Sequence, residues 1–139
     1  MKYKSFFDMP VWQKSLELSG KVFRLTNALP RSEDYGLTSQ SRRSSNSVSG
    51  NIAEAFGRRT PKDKAHFYVN ARGSAFETQS HLAYGEKVEY FTADQIDHII
   101  KGYAELIHEI NKIIKTLKPQ SQPCGTHATL FHRVNLNLE

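Results

Sequence analysis

Apolar and small residues recur every three or four positions along four successive stretches of the chain, and that spacing predicts four helices. In the first, Val11, Ser15, Leu18, Val22, Leu25 and Leu29 trace one face, widened by Trp12, Leu16 and Phe23. Asp8 stands as its N-cap and Pro10 falls in the first turn, where a missing N–H costs little. Pro30 closes it, which predicts a helix over about 9–29. The second stretch, about 37–57, reads Leu37, Ser41, Ser44/Ser45, Val48, Ile52 and Ala55/Phe56. Serine is a mediocre helix former, so the serines between Ser39 and Ser49 point to helix backbones packed closely together.

The third and fourth stretches carry clear start signals. Thr60-Pro61-Lys62-Asp63 supplies an N-cap, a proline at N1 and a first-turn acid for a helix over about 60–89. Its stripe is Phe67, Ala71, Ser74/Ala75, Thr78, Leu82 and Gly85, with Val88 at the end. Thr92-Ala93-Asp94-Gln95 matches a capping box and opens a helix over about 92–118. Ile96, Ile99, Ile100, Tyr103, Leu106, Ile107, Ile110, Ile113, Ile114 and Leu117 form its face, and Lys115 and Lys118 suit its C-terminus. Short connections between such helices predict an all-α, antiparallel up-down-up-down four-helix bundle occupying 1–118. In the remaining segment, 119–139, prolines and glycine break the period and Val134, Leu136 and Leu138 alternate with asparagines. That segment reads either as a loosely held tail or as one that docks, through Phe131 and those three residues, on its own or a neighbouring subunit.

Composition narrows the function classes. The 139 residues contain 19 Lys plus Arg against 14 Asp plus Glu, a formal charge of +5. The segment 42–72 holds Arg42, Arg43, Arg58, Arg59, Lys62, Lys64 and Arg72 against only Glu54 and Asp63, so it accounts for that whole excess. Concentrated positive charge attracts polyanions. Arg58, Arg59, Lys62 and Lys64 straddle one turn and are the first candidates for phosphate contact, with Arg42 and Arg72 farther along the two helices. A single cysteine, Cys124, excludes a disulfide framework and a Cys-rich zinc site. No membrane-length apolar run and no secretory h-region appear, so a cytoplasmic protein is expected.

Catalytic signatures are missing. A di-iron bundle needs two Glu-x-x-His pairs; Glu105 and His108 form one, off the core stripe, and Asp63 beside His66 is explained as a first-turn acid. His81, His98, His127 and His132 form no recognisable cluster. No phosphate-cradling glycine loop occurs, and Cys124 has no base beside it. The sequence therefore predicts no metal, no cofactor and no enzyme.

A second line runs beside the core face of the second helix: Gln40, Arg43, Ser47, Asn51, Glu54 and Arg58. On the third helix Asn70, Gly73, Glu77 and Tyr84 answer it, with Ser74 alongside. Either an ordinary wet face or a seam accounts for these residues. Gly73, which costs about 1 kcal/mol in mid-helix relative to alanine, favours an interhelix or subunit seam.

Phe7-Asp8 with Val11-Trp12-Gln13-Lys14, Tyr35-Gly36-Leu37-Thr38, Gln40, Arg42-Arg43, Ser47-Val48, Asn51-Ile52-Ala53-Glu54, Arg58, Gly73-Ser74 and Glu77 together resemble a known bacterial family, the 23S rRNA intervening-sequence proteins. The resemblance spans roughly 5–118, with Ala55 where the family has glycine. It implies a four-helix bundle assembled as a ring-shaped homopentamer. The family includes accessory variability proteins of diversity-generating retroelements, which are basic and bind nucleic acid and a reverse transcriptase. The expectation is therefore a non-enzymatic ring that binds structured RNA or DNA by charge and shape, with a reverse transcriptase or another protein as partner. The alternative is a structural or protein-interaction scaffold with no nucleic-acid role.

Overall fold

A computed structural model describes residues 3–118. Four helices follow one another: α1, Pro10–Thr26; α2, Leu37–Gly57; α3, Pro61–Lys87; and α4, Ala93–Leu117. Two short 3-10 turns, Phe6–Asp8 and Arg31–Glu33, precede α1 and α2. No strand occurs among the described residues.

Cross-helix contacts fix the arrangement. Arg43 meets Glu77 and Ser47 meets Ser74, so α2 and α3 run in opposite directions. Arg72 meets Asn111 and Gln79 meets the Ile100 carbonyl, which does the same for α3 and α4. Lys14 pairs with Glu105 between α1 and α4, and Arg42 reaches Thr26 between α1 and α2. Each helix therefore packs antiparallel against two neighbours, with α1 diagonal to α3 and α2 diagonal to α4.

Hydrophobic burial from all four helices builds one core, in which Val22, Val48, Ile52, Leu82, Ile96, Tyr103, Leu106 and Ile110 are fully enclosed. The α2 serines serve the close packing. Ser45 and Ser49 donate to the carbonyls of Arg42 and Asn46, so a small polar side chain is buried with its hydrogen bond already made within the helix. Where α4 crosses α1, Gly102 leaves room for Leu18; a β-carbon there would lie 2.6 Å from its Cδ2.

Several boundaries differ from the periodicity. Asp8 lies in the first 3-10 turn and the N-cap of α1 is Met9, which makes no side-chain cap. The helix stops at Thr26, ahead of Leu29, because its last carbonyls find partners early. Thr26 Oγ1 donates to Val22 O at 2.8 Å, and the Asn27 N–H closes on Phe23 O and Arg24 O. Leu16 and Phe23 are half exposed. On α3 the buried line passes through Tyr68, Ala71, Ala75, Thr78 and Leu82, leaving Phe67 at its margin and Val88 outside.

Candidate nucleic-acid interface

The turn from α2 to α3 is a short, extended link that places Arg58, Arg59 and Lys62 at one end of the bundle. Thr60 starts α3 by accepting the Asp63 N–H at 3.1 Å. Antiparallel packing brings the N-terminal turn and the end of α4 to the same place. Around this end stand Lys4, Arg58, Arg59, Lys62, Lys64, Lys112, Lys115 and Lys118, against the carboxylates of Asp8, Glu54, Asp63 and Glu109. Toward the opposite end the balance reverses, with Glu33, Asp34, Glu86, Glu89, Asp94 and Asp97 against Arg24, Arg31, Arg42 and Lys87. The bundle is thus electrically polar along its axis.

The six cations proposed for phosphate contact fall into two groups. Arg59 and Lys62 are exposed and make no ion pair or hydrogen bond among the described residues. The other four are engaged. Arg58 pairs with Glu54 at 2.7 Å and lies over the Phe67 ring at 4.5 Å. Lys64 Nζ donates to the Ala55 and Phe56 carbonyls, both at 3.2 Å, and so caps the end of α2. Arg42 caps α1: its Nε donates to Thr26 Oγ1 at 2.9 Å and its Nη2 to Asn27 Oδ1 at 2.8 Å, and the guanidinium stacks on Phe23 at 4.1 Å. Arg72 donates to Asn111 Oδ1 at 2.8 Å, halfway up the α3–α4 boundary.

Lys4, Lys112, Lys115 and Lys118 belong to this end but lie outside the 42–72 cluster. Their signal was topological: in an up-down-up-down bundle the end of α4 must meet the start of α3. Lys112 pairs with Glu109 at 3.1 Å, whereas Lys4, Lys115 and Lys118 make no ion pair among the described residues.

The polar line along α2 and α3 is largely internal to the chain. Arg43 Nη2 contacts both Glu77 oxygens, at 2.9 and 3.0 Å. Ser74 donates to Ser47 at 3.0 Å, and Asn51 donates to the same hydroxyl and to the Ser47 carbonyl. Glu54 faces along α2 to Arg58, and Gln40 lies by Tyr84 at the far end. Gly73 is different: it points outward, and a β-carbon there would meet nothing within 4 Å. Close packing within the chain does not require that glycine.

Glu105 is held by Lys14, whose hydrogen bond and charge keep its carboxyl below the ordinary carboxylate range. His108 is exposed, and among the described residues no three His, Cys, Asp or Glu side chains converge as metal ligands. No described helix is long and apolar enough to cross a membrane.

The model of the 23S rRNA-intervening sequence protein family matches residues 7–112, across all four helices. The chain belongs to this family. A solved structure from Bacteroides thetaiotaomicron, described as a protein of unknown function from the S23 ribosomal protein family, is similar at 28% identity. The match covers 76% of this chain and 98% of that one, with a TM-score of 0.70. No curated protein matches the chain. Neither description names a reaction. The 23S rRNA-intervening sequence family thus supplies the fold and a link to ribosomal RNA in its name, and the chemistry must come from the surface itself.

Proposed function

We propose that this protein is a non-enzymatic bundle that binds structured RNA or DNA at its basic end. The carrying observation is the charge polarity of the bundle, above all the exposed Arg59 and Lys62 with Lys4, Lys115 and Lys118 around them. Cations without internal partners can replace the counterions of a phosphate backbone, and the gain is largely independent of base identity. The acidic far end repels the same polyanion, so an approaching nucleic acid is oriented toward one end. Lys64 and Arg72, already donating within the chain, contribute to the field more than to direct contact, whereas Arg42, bound at the end of α1, lies toward the opposite end of the bundle.

Self-assembly belongs to the same reading. Leu16 and Phe23 lie half exposed along the α1–α2 groove, and Val69 and Phe76 are exposed on the diagonal helix α3. Two different apolar patches on separate faces suit a heterologous contact, which closes into a ring when the rotation allows. Gly50 and Gly73 turn outward with no packing reason inside the chain, as a close subunit contact would explain. The ring in this reading is a homopentamer, as the family resemblance implies, and it would repeat the basic end five times around one rim.

Fluorescence anisotropy with a labelled RNA hairpin and a DNA duplex tests the binding reading. Binding at low salt that Arg59→Glu with Lys62→Glu weakens at least tenfold supports it. Binding to neither, or binding unchanged by the double reversal, overturns it. The observation favouring a scaffold instead is the pair of apolar patches, and that reading would leave the assembly intact with no affinity for either nucleic acid.

A further inference from the structure

At the basic end an apolar crevice of about 450 Å³ opens between the N-terminal turn, α2, α3 and the last turn of α4. Tyr3, Met9, Phe56, Tyr68, Ile113 and Leu117 supply its walls, and Lys64 stands at its edge. Tyr68 and Met9 belong to the core, whereas Phe56, Ile113 and Leu117 are only partly covered. The cleft is therefore an unfinished part of the hydrophobic interior.

We infer that the occupant of this crevice is the chain's own C-terminal segment, through Val134, Leu136 and Leu138. The crevice includes Leu117, one residue before the described chain ends, and 21 further residues follow Lys118. Pro119 prevents α4 from simply continuing, and Pro123 and Gly125 allow the path to reverse. From Leu117 to Val134 the chain can reach about 56 Å at roughly 3.3 Å per residue, more than the length of any helix here. In extended form Val134, Leu136 and Leu138 face one way and Asn135 and Asn137 the other, which suits a strip laid into a groove with one wet side. Tethering beside the crevice gives the segment an effective concentration on the order of millimolar, so modest contacts suffice. Lys64 uses two of its three N–H groups on carbonyls and keeps one for a carbonyl of the incoming strand.

Cys124 is the one cysteine of the sequence, so Cys124→Ser combined with Asn135→Cys gives a single nitroxide attachment point in the full-length protein, between Val134 and Leu136 and 18 residues from Leu117. Methyl resonances of Ile113 and Leu117 should broaden at least twofold more than those of Ile96 and Ile99 at the far end. Val134→Asp, Leu136→Asp and Leu138→Asp combined should at least halve the difference, leaving what the tether alone produces. Equal broadening at both ends overturns the inference, as does a difference that the triple substitution leaves unchanged. Broadening found only after mixing nitroxide-labelled with isotope-labelled protein also overturns it, because the occupant is then a second copy's segment. These readouts need no nucleic acid and stand apart from the binding proposal.

Discussion

Lys64 Nζ lies 3.2 Å from both the Ala55 and the Phe56 carbonyl oxygens, so a lysine of α3 closes the end of α2. Its neighbour Lys62, two residues earlier, faces solvent with no ion pair among the described residues. Two lysines that look equivalent in a basic run therefore have separable roles.

Stability should respond to one and not to the other. Lys64→Met leaves two α2 carbonyls without their charged donor and should cost about 1 kcal/mol, while Lys62→Ala should stay within about 0.5 kcal/mol. Thermal unfolding at fixed protein concentration checks this. Equal effects would show that Lys64 does not cap α2.

Tyr103 is fully buried, and its hydroxyl lies against Ser45 and Thr78 without a hydrogen bond in good geometry. Thr78 donates to the Ser74 carbonyl at 2.9 Å, so the 2.8 Å contact with Ser44 has Ser44 as donor, and nothing there turns to Tyr103. Tyr103→Phe should be neutral or stabilising by about 1 kcal/mol, since it removes an unpaired buried polar group. Burial also pushes the Tyr103 phenol above the ordinary value of 10.0. The fold then holds the neutral form while the unfolded chain ionises near 10, so stability falls as pH rises past 10. Chemical denaturation across pH 9–11 should show a shallower alkaline loss in Tyr103→Phe, with the residual loss carried in part by Tyr68, whose burial raises its phenol too.

Two glycines of α3 make opposite predictions. A β-carbon at Gly85 would sit 2.3 Å from the Phe91 ring, which folds back over it as Tyr90 and Phe91 donate to the Gly85 carbonyl. Gly85→Ala should destabilise by about 1–3 kcal/mol. Gly73 has open space around it, and Gly73→Ala should stabilise the separate chain by up to about 1 kcal/mol while weakening any assembly that needs a close approach there. Denaturant unfolding together with light scattering distinguishes the two effects.

Assembly itself can be read as a mass. Multi-angle scattering should give about five times the 15.9 kDa chain, and Phe76→Glu or Leu16→Glu should return the single-chain value with helicity unchanged. A wild-type mass of one chain would remove the ring.

Most of the fold was legible from spacing, because Ile96, Ile99, Tyr103, Leu106 and Ile110 have no other reason to recur as they do. Thr60 and Thr92 mark their helix starts in sequence as in structure. The end of α1 was not legible: Pro30 is a conspicuous stop, yet Thr26, Asn27 and a distant Arg42 terminate the helix first. The candidate interface was legible as charge but not as availability. Whether an arginine is free depends on a partner far away in sequence, as Asn111 is for Arg72, and no local pattern contains that. The lysines of α4 join the interface only once the helices are folded against each other. Residues 119–139 lie outside the described structure, so the reading of that segment as loose or docked passes to the nitroxide experiment.

The central claim is that exposed cations at one end of the bundle contact phosphate, and the salt dependence of binding tests it most directly. The account predicts a linear fall of log affinity for an RNA hairpin with log salt, and a slope smaller by roughly one for each contacting side chain removed in Arg59→Gln with Lys62→Gln. An affinity insensitive to salt, or a slope identical in wild type and double variant, would contradict it.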